Sequence, residues 1–163
     1  MSTILAQRIV GDEYIVPPLD PLVAARMLAE ADSWLGTRFV HQGKVKGLGV
    51  DCAQFIAALV RAGGHNIQIS ENYGRQEDGR IMIRTLLEHG DYVPESQMSP
   101  ADMIAFCDEA QREKDKPRHL ALIRELAPHT TFIIHASEHG VRRHRINMWW
   151  RGRIHSVWRL RPA

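Results

Sequence analysis

A cysteine and two histidines are the residues of this sequence whose types and spacing could carry out covalent chemistry. Cys52 stands at the predicted start of a buried helix, and His119 and His135 stand on two later predicted strands. A helix N-terminus favours a thiolate through its partial positive charge, and its N–H groups can hold an oxyanion. One imidazole can accept the thiol proton while a second orients it. The pattern predicts nucleophilic catalysis by a thiol.

Two other interpretations of these residues remain open. Free cysteines are commonly buried and inert, and a chain with nine histidines often has two on strands by chance. Cys52, His119 and His135 also have acceptable ligand types for zinc, but the sequence contains no HExxH or paired-cysteine motif. We therefore predict no metal site and no organic cofactor.

Three helices are predicted in the first half of the chain, over residues 21–35, 51–62 and 79–89. Asp20 is a good N-cap for the first helix, and Gly36 is a natural stop. The second helix has an apolar run without polar residues, so it is expected to be buried nearly all round. This second helix would carry Cys52 at its start.

The second half of the chain changes to strand-like apolar runs. These runs lie at residues 103–106, 119–123 and 131–135, with further strand candidates at 139–146 and 154–161. Residues 37–50 and 108–116 are predicted to be loops. If the two strands that carry the histidines pair as a hairpin, both histidines fall near the same end of the sheet. Helices first and strands second predict an α+β domain with an antiparallel sheet.

The composition is typical of one globular domain. The chain has 163 residues, of which 44% are hydrophobic and 25% charged. The longest apolar run, residues 55–60, is far shorter than the roughly 20 residues that a bilayer span needs. The first residues lack the pattern of a secretory signal, so we expect synthesis in the cytoplasm without a signal peptide.

Positive charge is concentrated at the end of the chain. Residues 141–163 hold seven arginines and no acidic residue, which gives +7 and leaves −5 for residues 1–140. This asymmetry predicts either a contact surface for an anionic partner or an arginine-bearing edge strand. Trp149, Trp150 and Trp158 could anchor a protein interface or belong to the core. Nucleic acid is not expected as a partner, because no binding motif accompanies the basic segment.

Four sequence blocks, in order, resemble the NlpC-type cysteine peptidases, which are papain-like enzymes that cut bacterial cell-wall peptides. The blocks are WLGTRF with GVDCA at 34–39 and 49–53, PADMIAF at 100–106, HLALI at 119–123, and FIIHA at 132–136. The resemblance implies a papain-like α+β fold in a single domain over residues 1–163. It also implies that Cys52 is the nucleophile, His119 the general base and acid, and His135 the residue that orients it.

The same resemblance implies a substrate, a peptidoglycan stem peptide cut at a D-γ-glutamyl–diamino acid bond. Asp51 matches a position that binds the free amine of the substrate peptide in some family members. The family usually has a tyrosine where Phe39 stands and Ser-Gly where Ala53-Gln54 stands. Since Phe39 has no hydroxyl, the oxyanion would be held by the N–H of Cys52 and a second donor, for which His41 is a candidate.

Three further segments look like the small branch of this family found in bacteriophage tail modules and prophages. They are the insert at 44–47 and the tryptophan- and arginine-containing segments at 149–153 and 158–162. This resemblance implies a virion-associated protein whose partners are tail-tip proteins. The competing prediction is a structural or assembly component of the tail tip with weak or no activity, which the changed residues at 39, 53 and 54 favour.

Overall fold

The computed structural model describes residues 15–69, 73–74, 80–108 and 117–163.

The first helix forms where its capping residues predict. Helix α1 spans Pro21–Ser33, and the Asp20 side chain accepts hydrogen bonds from the N–H groups of Leu22 and Val23. Gly36 adopts a φ of +85°, a conformation that glycine reaches without the steric cost of a side chain. The predicted helix and its stop are confirmed.

Helix α2 spans Cys52–Ala62 and begins with the predicted nucleophile. Asp51 is its N-cap, and one carboxylate oxygen accepts from the N–H of Gln54 at 2.9 Å. Its buried residues lie on every side of the helix, as the unbroken apolar run predicts. They are Cys52, Ala53, Gln54, Phe55, Ile56, Ala57, Leu59 and Val60. Burial on every side fixes the helix, and so it fixes the position of the thiol at its start.

Helix α3 spans Arg80–His89, so the predicted third helix is confirmed except for Gly79, which lies outside the described residues.

The prediction of a loop over 37–50 is wrong in part. Strands β1 (Lys44–Val45) and β2 (Gly49–Val50) pair antiparallel within it. A Cβ on Gly43 would lie 2.7 Å from the backbone of Gly49, so the close approach of these segments requires glycine.

A six-stranded antiparallel sheet forms the second half of the fold, in the order β3-β8-β4-β5-β6-β7. Its strands are β3 (Gly90–Val93), β4 (Met103–Phe106), β5 (His119–Ala127), β6 (Thr130–Ser137), β7 (Gly140–Arg145) and β8 (Ile154–Leu160). Strand β3 was not predicted. A short helix α4 (Met148–Arg151) and a 3₁₀ turn (Glu95–Gln97) complete the described elements. Of the second predicted loop, over 108–116, residues 109–116 lie outside the described part of the chain.

The sheet separates two hydrophobic clusters. Along β5, Leu120 and Leu122 pack in the cluster that contains helices α1 and α2, whereas Ala121 and Ile123 pack on the opposite face. Half-buried Trp150 packs on that opposite face. The α+β fold with N-terminal helices and an antiparallel sheet is therefore confirmed, and both faces of β5 are covered.

The basic C-terminal segment is largely part of the fold itself. Strand β7 lies at the edge of the sheet and exposes three arginines, as the edge-strand interpretation predicts. Among the described residues, three of the arginines in the segment pair with carboxylates. These pairs are Arg143–Glu125, Arg159–Asp102 and Arg161–Asp91. Trp158 is a core residue, whereas Trp149 is 54% exposed. No helix within the described residues is long and apolar enough to cross a membrane.

Candidate active site

The Cys52 thiol lies where helix α2 meets the start of strand β5. Only 9% of the residue is exposed. The backbone N–H groups of Leu120, Ala53 and Cys52 itself interact with the sulfur and favour its thiolate form. Because Leu120 directly follows His119 in β5, the predicted nucleophile and the predicted base lie on touching segments of the chain.

The environment of Cys52 nevertheless keeps the thiol protonated. Burial and the nearby negative charge of Asp51 outweigh the three N–H groups and raise the pKa of Cys52 to about 12. The resting group at neutral pH is therefore a thiol, and its activation requires a base that removes the proton as the sulfur attacks.

The two predicted catalytic histidines meet. Strands β5 and β6 pair as an antiparallel hairpin, in which Leu122 is opposite Ile134. Nε2 of His119 lies 2.7 Å from Nδ1 of His135, which is hydrogen-bond distance. The hairpin that the sequence predicts is confirmed, and it joins these two rings.

Both imidazoles are neutral at physiological pH. Burial and the neighbouring His135 lower the pKa of His119 to about 3. Burial, together with His144 and Arg142 on β7, lowers the pKa of His135 to about 4. A neutral His119 has one ring nitrogen without a proton, which is the form that a general base needs.

The hydrogen bond between the histidines allows either ring to be the donor, and one of the two arrangements suits a general base. If Nε2–H of His119 donates to Nδ1 of His135, Nδ1 of His119 is the unprotonated nitrogen. His135 then carries its own proton on Nε2. That atom is buried and has no hydrogen-bond partner within the part of the chain that the structure describes. An unpaired buried donor is costly in a structural core, so its presence marks this pair as a functional candidate.

Trp150 covers the histidine pair from the outer face of the sheet. Its ring centroid lies 5.3 Å from that of His135, 6.1 Å from that of His119 and 4.9 Å from that of Phe106. The sequence does not decide whether Trp150 anchors a protein interface or belongs to the core. Nothing in the local pattern indicates that helix α4 returns to the ends of β5 and β6, so this contact was not predicted.

Asp51 is enclosed by the chain. One carboxylate oxygen accepts from the N–H of Gln54, and the other accepts from the N–H of Gln42 at 2.8 Å and from the Tyr73 hydroxyl. Its side chain is 4% exposed. Its binding of a substrate amine stays a prediction, and such an amine would have to compete with these donors.

Tyr73 is a site residue that sequence reasoning missed. Its carbonyl accepts from Nε2 of Gln42 at 2.9 Å, and its ring lies edge to face with that of His41 at 5.4 Å. Burial and the hydrogen bond to Asp51 raise the pKa of Tyr73, so it stays a neutral donor. No motif surrounds Tyr73 in the sequence, and only the fold brings it to helix α2.

The two other predicted binding residues lie beside this network. Nδ1 of His41 is 3.9 Å from a carboxylate oxygen of Asp51, and the His41 side chain is 23% exposed. Phe39 forms an isolated parallel bridge with Val50 and is 38% exposed. Their roles toward a substrate or an oxyanion stay predictions. Within the described ranges, no group of three or more histidine, cysteine, aspartate or glutamate residues could hold a metal ion.

Comparison with known proteins identifies the fold. The chain matches no family model and no curated protein. Among solved structures, an NlpC/P60 family protein from Bacillus cereus has a TM-score of 0.61 at 19% identity, over 88% of this chain and 41% of that one. A lipoprotein-like NLP/P60 family protein from Staphylococcus aureus has a TM-score of 0.62 at 14% identity, over 96% and 47%. The chain has the NlpC/P60 fold.

A third similar structure is RipD from Mycobacterium tuberculosis, with a TM-score of 0.54 at 15% identity, over 84% of this chain and 96% of that one. RipD is described as a non-catalytic NlpC/p60 domain protein with an adaptation to peptidoglycan binding. The present chain spans less than half the length of the Bacillus and Staphylococcus proteins. The predicted papain-like NlpC-type fold is confirmed, whereas the bacteriophage branch stays a prediction.

Proposed function

We propose that this protein is a cysteine endopeptidase that hydrolyses peptide bonds in peptidoglycan stem peptides. The observation that carries the proposal is the 2.7 Å contact between Nε2 of His119 and Nδ1 of His135. The residue that follows His119 on its strand, Leu120, directs its N–H group at the Cys52 sulfur. A nucleophile, a base and a group that orients the base are the parts that thiol catalysis of acyl transfer requires. The D-γ-glutamyl–diamino acid bond is the proposed target, on the resemblance of the sequence blocks.

The proposed reaction uses a neutral thiol and a neutral imidazole. His119 removes the thiol proton as the sulfur of Cys52 attacks the amide carbonyl carbon, which gives a tetrahedral oxyanion. The C–N bond then breaks, and the leaving amine takes the proton from His119. A water molecule attacks the thioester with His119 again as base, which releases the carboxylic acid and restores the thiol. His135 keeps the His119 ring in one orientation and tautomer throughout.

Backbone N–H groups are the proposed oxyanion donors. Those of Cys52 and Ala53 lie at the N-terminus of α2 and already interact with the sulfur. Their partial positive charge would stabilise negative charge on an adjacent carbonyl oxygen. His41 remains a proposed second donor, supported by its position beside Asp51 and by its partial exposure.

A second candidate function is a structural or assembly component that binds peptidoglycan without cleaving it. The raised pKa of Cys52 favours this alternative, because the thiolate is the reactive form of cysteine. RipD, which has a similar fold, is described as non-catalytic and adapted to peptidoglycan binding.

The proposed location is a bacteriophage tail, with tail-tip proteins as further partners. The resemblance of segments 44–47, 149–153 and 158–162 to tail-module proteins supports it. Trp149 and Arg151, both exposed on helix α4, are available to such a partner. Replacing Arg151 and Arg153 with glutamate should weaken tail assembly while leaving thiol reactivity unchanged. Unchanged assembly would contradict an interface there.

The first experiment compares purified protein and the Cys52→Ala variant on soluble peptidoglycan fragments, with products identified by mass spectrometry. Cleavage by the wild type alone is the expected result, and the fragment masses identify the bond. A third variant, Cys107→Ala, is the matched control, because it removes the other buried cysteine of the chain and should keep activity.

Binding to insoluble peptidoglycan is measured in parallel by cosedimentation. Binding without cleavage by the folded wild type would favour the non-catalytic alternative. Equal cleavage by wild type and Cys52→Ala would contradict thiol catalysis. Neither binding nor cleavage over a varied substrate set would contradict both candidate functions.

A further inference from the structure

The N-cap of the nucleophile helix is held by a closed ring of hydrogen bonds. The Asp51 carboxylate accepts from the Tyr73 hydroxyl and from the N–H of Gln42. The Gln42 side chain in turn donates to the Tyr73 carbonyl. Tyr73 and Gln42 therefore hold each other as well as Asp51, although they are 31 residues apart in sequence. Gln42 adopts a φ of +61°, an uncommon conformation for a residue with a side chain, and this ring fixes it.

The charge of Asp51 works against the chemistry proposed for its neighbour. A carboxylate beside a thiol opposes the formation of a second negative charge, and Asp51 contributes to the raised pKa of Cys52. Yet an N-cap side chain is needed here, since it satisfies a backbone N–H at the start of α2. The site therefore needs a group that offsets the Asp51 charge without displacing the cap.

Tyr73 meets this requirement by its position. Its hydroxyl donates to the carboxylate oxygen that does not bond to Gln54, so the cap and the hydroxyl do not compete. The tyrosine is half-buried and comes from a segment outside both helix α2 and the sheet. The charge of Cys52 also contributes to the raised pKa of Tyr73, after burial and the interactions with Asp51.

We propose that Tyr73 is a positioning residue of the candidate active site, whose hydroxyl holds the Asp51 carboxylate and disperses its charge away from the Cys52 sulfur. The inference rests on Cys52 being the reactive group of the proposed function. It assigns to Tyr73 an electrostatic role, exerted through Asp51, and it makes no use of a contact between Tyr73 and the substrate.

The test measures the rate at which iodoacetamide alkylates Cys52 as a function of pH, with the Cys52 peptide quantified by mass spectrometry. Tyr73→Phe removes the hydroxyl and keeps the ring. It should raise the pKa of Cys52 by about half a unit, so the thiolate fraction at a fixed pH falls about threefold. Tyr92→Phe is the matched control, because Tyr92 lies on the edge strand β3 against Trp158, and it should leave the rate unchanged.

A double-mutant cycle separates an electrostatic role from a merely structural one. Asp51→Asn keeps an N-cap of equal quality and removes the charge, so it should speed alkylation of Cys52 by about tenfold. In the Asp51→Asn background, Tyr73→Phe should have no further effect on the pH profile. Cys107, which is 4% exposed, reports folding in every variant, because it becomes labelled only when the protein opens.

Three results would overturn the proposal. They are an equal loss of rate on Tyr73→Phe in both backgrounds, an unchanged rate in the single variant, and a wild-type Cys52 whose labelling does not depend on pH. Since alkylation needs no peptide substrate, this proposal can fail while peptidoglycan cleavage is shown. It can also hold in a protein that binds peptidoglycan without cleaving it.

Discussion

Two buried polar clusters of this protein differ in how completely they are satisfied. Arg159 on β8 donates to both carboxylate oxygens of Asp102 at 2.9 and 2.8 Å, and the exposed fractions of the two side chains are 6% and 0%. Its guanidinium also donates to the carbonyls of Val16, Pro17 and Gln97. The His119–His135 pair has one internal hydrogen bond, and Nε2 of His135 has no partner among the described residues.

The difference teaches what each cluster does. A buried ion pair with every donor used ties the N-terminal segment, the turn before β4 and strand β8 together, so it serves the fold. The histidine pair ties only two strands that already pair with each other. Its unsatisfied nitrogen costs stability that a purely structural residue would not impose. The comparison therefore assigns stability to the first cluster and supports the chemistry that we propose for the second.

The largest effect is expected from breaking the saturated cluster. Arg159→Met removes the partner of the fully buried Asp102 carboxylate and should lower the free energy of unfolding by about 3–5 kcal/mol. Urea unfolding measures it. Arg143→Met is the matched control, because Arg143 pairs with Glu125 at the exposed surface and should cost about 1 kcal/mol or less. A similar loss of unfolding free energy in both variants would contradict the structural role assigned to the Arg159–Asp102 cluster.

A pH-dependent effect is expected from the histidine pair. The pKa values of about 3 for His119 and about 4 for His135 lie below the ordinary 6.5. Between these values and pH 6.5, the unfolded chain therefore binds more protons than the folded chain. Stability should therefore fall as the pH falls from 6.5 towards 4, by up to about 1.4 kcal/mol per pH unit for each histidine. Urea unfolding at about pH 7 and about pH 5 checks this.

The double variant His119→Gln, His135→Gln should flatten this dependence. His129→Gln is the control, since His129 is exposed between β5 and β6. A slope that survives in the double variant would show that other groups carry the acid sensitivity. The histidine pair would then have no special place in the comparison.

The smallest effect is expected from removing the Trp150 ring that covers the His119–His135 pair. Trp150→Ala removes the ring that packs on both histidines, so water enters and their pKa values rise towards 6.5. The free energy of unfolding should fall by about 2 kcal/mol near neutral pH, since Trp150 is only half-buried, and its dependence on pH should weaken. Trp149→Ala, which removes a 54% exposed ring, should change stability by about 0.5 kcal/mol or less. An unchanged pH dependence in Trp150→Ala would contradict the role of Trp150.

The sequence predicts most of the fold because its signals are local. Asp20 caps the helix that its position predicts, the second helix begins within one residue of its predicted start, and five of the six strands of the sheet lie near their predicted bounds. Strand β3 was missed because residues 90–93 mix glycine, aspartate and tyrosine with a single buried valine, so they show no apolar run. Strands β1 and β2 were missed because two-residue strands leave no period to detect.

The candidate site, like the fold, is predicted from the sequence only where its signals are local. The positions of Cys52 at a helix start and of the two histidines on paired strands follow from capping and hydrophobic pattern, which the sequence by itself determines. The approach of Tyr73 to Asp51, the cover that Trp150 provides, and the burial that raises the pKa of Cys52 were decided only by the tertiary structure. Each depends on contacts between segments far apart in the chain, and no local pattern of residues encodes such distances.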